Sequence, residues 1–108
     1  MSCERACPVV PEPQRPWSLD GFLDCFDRWA DQEKPSEGVR FIVMEWILGR
    51  AENPYVGVRR EPGFDNLWFG PIPRTQQPDG TVTACAYWIY ETTRTVRCDS
   101  FATLETPL

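Results

Sequence analysis

The strongest constraint on the fold of this chain is a change of hydrophobic period near its middle. Between residues 19 and 48 the apolar side chains recur every three or four positions, and from Pro54 onward they alternate. The first pattern lays a stripe along one face of a helix, and the second lines one face of a strand. Helices first and strands afterwards predict an α+β domain, an N-terminal α-hairpin packed on a twisted antiparallel sheet of about four strands. The 108 residues suit one domain and one core.

Leu19, Phe22, Leu23, Phe26, Trp29 and Ala30 make the stripe of a first helix over 19–31, with Ser18 as its N-cap. Asp20, Asp24, Asp27 and Asp31 recur on the opposite side. They read as a solvated face or as a docking face for a basic partner. Pro35 stops this helix, and Ser36 caps a second one that runs to about residue 48, with Gly49 as C-cap. Val39, Ile42, Val43, Trp46 and Ile47 form its main stripe, while Phe41, Met44 and Leu48 predict that most of its circumference is covered. The short break between the helices makes them an antiparallel pair.

Strands are expected over 55–61, 66–73, 81–91 and 95–104. The third carries apolar groups on both faces and is read as central. A loop of about four residues should join it to the fourth, since Thr92-Thr93 is poor chemistry for a two-residue turn. Five Trp, six Phe and three Tyr supply large rings for a small core. Residues 1–16, with four prolines, are expected to be extended or disordered, with "PVVP" as a possible edge strand; 17–108 form the single domain.

Several chemistries are excluded. The chain has no histidine, so histidine bases and most hydrolase triads are absent. Cys3 and Cys7 have a spacing that begins some zinc sites, but the remaining ligands are missing, and neither metal nor cofactor is expected. Five cysteines, an odd number, do not form a secreted disulfide framework. Neither a signal peptide nor an apolar run of membrane-spanning length is visible, which points to a cytoplasmic protein with reduced thiols. A net charge of −5 gives no long-range pull toward nucleic acid.

What remains is arginine on the sheet. Arg59 and Arg60 are consecutive in one strand and therefore point to opposite faces. Arg97 is expected to share a face with Thr95, Asp99 and Phe101, and Arg94 lies at the turn. Two guanidinium groups on one face would grip a phosphodiester, with Tyr87 or Tyr90 stacking on a base or positioning a proton. The plainer alternative pairs Arg59 and Arg60 with Glu61 and Asp65, and Arg97 with Asp99 or an aspartate of the first helix.

The order of these pieces resembles the RelE/ParE toxin superfamily. An α-hairpin is followed by "ENPYVG" (52–57), the basic strand "VRR" (58–60), "GFDNLWF" (63–69) and the hairpin "AYWIYETTRTVRCDSFATL" (86–104). The resemblance implies the toxin of a bacterial toxin–antitoxin pair, held inactive by a cognate antitoxin. RelE-like members cleave mRNA in the ribosome without metal, and ParE-like members inhibit DNA gyrase. By position, Arg59 or Arg60 and Arg97 would contact the phosphate; together with the reading of the sheet above, this makes Arg60, Arg97 and Tyr87 the expected catalytic set of a metal-free endoribonuclease and Arg59 and Arg94 the expected nucleic-acid contacts. Independently of the resemblance, Asp20, Asp24, Asp27 and Asp31 are the expected partner-binding residues, from the helical pattern alone. The Tyr or His usual near the C-terminus has no equivalent in "FATLETPL", and the first family strand falls in "CPVVP" or is missing. The acidity favours gyrase inhibition or a repurposed homologue over RNA cleavage. The alternative outside this family is a non-catalytic interaction module, a phage or regulatory protein using the acidic helix face or the aromatic sheet.

Overall fold

The computed structural model describes residues 15–105, so "CPVVP", Cys3 and Cys7 lie outside the described residues. The order is β1 (Ser18–Asp20), α1 (Phe22–Glu33), α2 (Glu37–Gly49), β2 (Arg59–Arg60), β3 (Leu67–Pro71), β4 (Thr81–Tyr90) and β5 (Thr95–Glu105). The strands form one sheet in the order β1-β5-β4-β3-β2. The α+β class is as expected, but the sheet has five strands and is mixed, because β1 runs parallel to β5.

β1 is the element that the helical pattern concealed. Leu19 continues the apolar stripe, yet residues 18–20 pair with 95–97, and Ser18 N donates to Arg94 O at 2.8 Å. Ser18 is therefore a strand residue and not a cap. Gly21, at φ 76°, turns the chain into α1 without any side-chain cap. The other end of α1 closes at Lys34, also left-handed, whose N–H reaches Ala30 O before Pro35. In α2 the expected cap is present: Ser36 Oγ accepts from Val39 N at 3.2 Å. Gly49 is the last helical residue, and Arg50 takes the cap position.

Both helices cover one face of the sheet. Phe22, Cys25 and Trp29 from α1 and Val39, Val43 and Ile47 from α2 share a core with Cys85, Tyr87, Ile89, Val96 and Cys98. The expected strand over 55–61 shrinks to two residues, since 55–57 turn instead of pairing. β3 approaches that turn so closely that a Cβ on Gly70 would sit 2.6 Å from Gly57 O.

A β-bulge lies between the two longest strands. Ala86 pairs with Ser100 and Tyr87 with Cys98, so Asp99 is the extra residue. The bulge reverses which side chains face the helices. Arg97 opposes Trp88, whereas Phe101 opposes Cys85 and packs on Phe22 and Trp29 from the other side. Arg97 and Phe101 thus do not share a face, contrary to the simple alternation.

Candidate functional site

The face of the sheet away from the helices is the natural place for a site, and the strand register decides which arginines reach it. Arg59 opposes Phe69, which opposes Ala86 on the open side. Arg60 opposes Trp68, which opposes Tyr87 on the helix side. Arg60 and Arg97 are therefore on opposite faces, and the expected catalytic pair is not assembled. Arg59 and Arg97 share the open face, but β3 and β4 lie between their strands. At about 4.8 Å per strand step the separation is about 14 Å across the sheet, too wide for both to hold one phosphate.

Arg97 is already engaged. Its Nε lies 3.1 Å from Asp20 Oδ2, and its guanidinium sits 5.5 Å from the centroid of the Tyr90 ring. The parallel pairing of β1 with β5 sets Asp20 directly opposite Arg97. An anion approaching Arg97 would meet that carboxylate first. Arg59 and Arg60 have no ion pair with Glu61 or Asp65; among the described residues the two salt bridges are Arg97–Asp20 and Arg74–Glu45. The plainer expectation holds for Arg97 and fails for Arg59 and Arg60.

Tyr87 has no access to a substrate. It is fully buried on the helix side, its hydroxyl donates to Pro54 O, and it accepts from Arg50 Nη1 at 3.1 Å. Burial pushes the hydroxyl above the ordinary tyrosine range, although Arg50 pulls the other way. Its role is structural, and the expected catalytic role is withdrawn. Arg94 is also committed elsewhere. At φ 51° in the β4–β5 turn, it stacks 4.4 Å from the Trp17 ring centroid and donates to Arg15 O. That contact anchors the entry of the chain into β1 and leaves Arg94 off the open face.

Arg50 is the basic residue that sequence reasoning missed. It is buried at the end of α2, donating to Trp46 O, Val56 O and Tyr87 OH and lying 4.3 Å from the Trp46 ring centroid. Nothing but its position after Gly49, at the negative end of a helix dipole, signals this role. With Tyr87 it locks the 53–58 loop to the sheet.

The open face presents Trp88, with Phe64 edge-on at 5.9 Å, together with Tyr90 and the half-buried Leu67 and Phe69. Acids punctuate this surface: Asp99 Oδ1 accepts from Trp88 Nε1 at 3.3 Å, and Asp20 holds Arg97. On α1, Asp24, Asp27 and Asp31 are exposed as expected, but Asp20 belongs to the sheet and leaves that row. Among the described residues no cluster of three His, Cys, Asp or Glu side chains is placed to hold a metal ion. No described helix is long and apolar enough to cross a membrane. Two of the core thiols, Cys25 and Cys98, are held protonated. Burial, then contact with Cys98, pushes Cys25 up to about 11, and the hydrogen bond with Cys85 raises Cys98 further.

No family model matches the chain, and no curated protein matches it. Solved structures do. The isolated Escherichia coli RelE toxin superposes with a TM-score of 0.60 at 14% identity, covering 84% of this chain and 87% of that one. A mutant of the E. coli toxin RelE with two arginines replaced by alanine, in the free state, gives 0.57 at 14% identity, covering 81% and 82%. The chain has the RelE-like toxin fold.

Proposed function

We propose that this chain is the toxin of a bacterial toxin–antitoxin pair, working in the cytoplasm under a cognate antitoxin. We further propose that it acts by binding a protein, as gyrase-inhibiting ParE-like toxins do, and not by cutting mRNA. The RelE-like fold supports the toxin reading. The observation that carries the choice of mechanism is the open sheet face. Phosphoryl chemistry needs charged groups converging on one scissile bond. Here one arginine is paired with Asp20, another lies about 14 Å away across the sheet, and the tyrosine is inside the core. Aromatic rings with few free charges suit a protein interface better.

Inducible expression in a bacterial host tests both parts. Growth arrest relieved by a co-expressed neighbouring gene, inhibited gyrase supercoiling by purified protein, and unbroken transcripts are the expected results. Ribosome-dependent mRNA cuts that vanish in the Arg59→Ala/Arg97→Ala double variant would instead establish the RelE-like ribosome-bound endoribonuclease. A chain harmless at high expression, with no effect of the neighbour, would leave the non-catalytic interaction module as the reading.

A further inference from the structure

Scattered apolar side chains on a surface are ordinary, but contiguous ones are not. Leu23 (62% exposed), Phe41 (64%) and Leu48 (62%) are the three most exposed large apolar residues described, and all lie on the helical hairpin. On α2, Phe41, Met44 and Leu48 are spaced as one stripe, opposite the Val39–Val43–Ile47 stripe that meets the sheet. Leu48 and Met44 face Leu23 and Leu19 across a groove of about 310 Å³. The covered circumference expected for α2 is not found among the described residues.

The surroundings of this groove are acidic. Residues 20–52 contain eight Asp or Glu against four Lys or Arg, and one of the four, Arg50, is buried. Asp24 lines the groove itself, and Asp27 and Asp31 continue along α1. Among the described ion pairs only Asp20 and Glu45 are compensated.

We propose that this outward face of the α1–α2 hairpin docks a basic amphipathic helix of a partner protein. The backbone hydrogen bonds of both helices are satisfied internally, so no strand can add here and recognition must use side chains. The stripe from Phe41 to Leu48 runs about 10 Å, the length over which an incoming helix presents anchors at i, i+4 and i+7. Acids flanking apolar groups select lysine or arginine flanking leucine, which sets both orientation and rate of encounter. The proposal shares with the functional reading only the idea that the chain works by binding a protein, and it uses the opposite side of the molecule from the open sheet face. An inert chain that still binds would remove the toxin reading and leave the docking surface intact.

The test titrates the isotope-labelled full chain with a synthetic helical peptide carrying Leu at i, i+4, i+7 and i+11 and Lys on its flanks. A second peptide with Glu in place of Lys serves as control. Expected are amide shifts confined to 19–31 and 40–48, and an affinity that falls several-fold when salt rises from about 50 to 200 mM. Leu48→Ser and Phe41→Ser should each weaken binding about tenfold, a change typical of losing an apolar anchor, while Leu104→Ser on β5 should not. Equal binding of the Glu peptide, shifts mapping to the strands, or indifference to both the Leu48 and the Phe41 variant would overturn the proposal. So would binding that appears only after residues 1–14 are deleted, or a dimer formed through this face in sedimentation, since either names a different occupant.

Discussion

Arg50 and Tyr87 meet where the end of α2, the 53–58 loop and the middle of β4 come together. Three hydrogen bonds and a ring contact satisfy the guanidinium without any carboxylate. Truncation leaves the carbonyl of Val56 without its partner and the Tyr87 hydroxyl with only its bond to Pro54 O, so Arg50→Ala should lower stability in urea by about 2–3 kcal/mol. Tyr87→Phe loses the bonds of one hydroxyl and should cost about 1 kcal/mol, with the proposed growth arrest unchanged because the ring is buried in the core. Arg97→Ala breaks a pair whose side chains are both more than half exposed, and a stability change below about 1 kcal/mol is expected. Tyr55 gives a pH dependence. Burial, and then its bond to Glu91, push its hydroxyl up to about 12 from the ordinary 10. Between those values the unfolded chain has released a proton that the folded chain keeps, so stability falls as pH rises. Urea midpoints should begin to fall above about pH 8, where the unfolded counterparts of Cys25 and Cys98 also release protons, and the decline above about pH 10 should be gentler in Tyr55→Phe.

The bulge at Asp99 is the element-scale feature with the sharpest consequence. Deleting Asp99 would remove the extra residue and leave a regular ladder, with Phe101 still opposite Cys85 on the helix side and Ser100 still on the open side, at the cost of the bonds that Asp99 accepts from Trp88 Nε1 and Cys25 Sγ. The deletion variant should therefore keep its packing and lose about 1–2 kcal/mol, whereas Phe101→Ala, which empties the contact with Phe22 and Trp29, should lose about 3–5 kcal/mol. Gly70→Ala should also destabilise, by about 1–3 kcal/mol, because the new methyl meets Gly57 O and Val58 Cγ1; calorimetry checks both. These details explain what the amino-acid pattern could reveal. The switch from helical to alternating period, the Ser36 cap and the β4–β5 hairpin depend on neighbours in sequence, and all were legible. β1 was not, because its three residues owe their state to pairing with residues more than seventy positions away, while Leu19 fits a helical stripe equally well. The assignment of Arg59 and Arg60 to faces needed the register of β2 on β3, and Arg97 could be placed relative to Phe101 only once the inserted residue was seen. The candidate site suffered most, since its members come from three strands whose offsets are set by tertiary contacts.

For the molecule as a whole, charge and surface chemistry agree. A protein of net charge −5 whose sheet arginines are paired or scattered should show no retardation of a short RNA at about 0.15 M salt and micromolar concentration, where basic RNA-binding domains already associate. A gel-shift titration would decide it, and a salt-sensitive complex would count against a protein target. The three core thiols supply a further handle. Cys25 on α1 gives its S–H to Asp99 O on β5, and Cys85 and Cys98 lie 4.0 Å apart beneath it. A thiol reagent added to the native protein must wait for the structure to breathe before it meets them. With Cys3 and Cys7 replaced by serine, labelling becomes a stopwatch: Cys25 tagged well ahead of Cys85 would time the lifting of the hairpin from an intact sheet, and simultaneous tagging would mean that both layers come apart together.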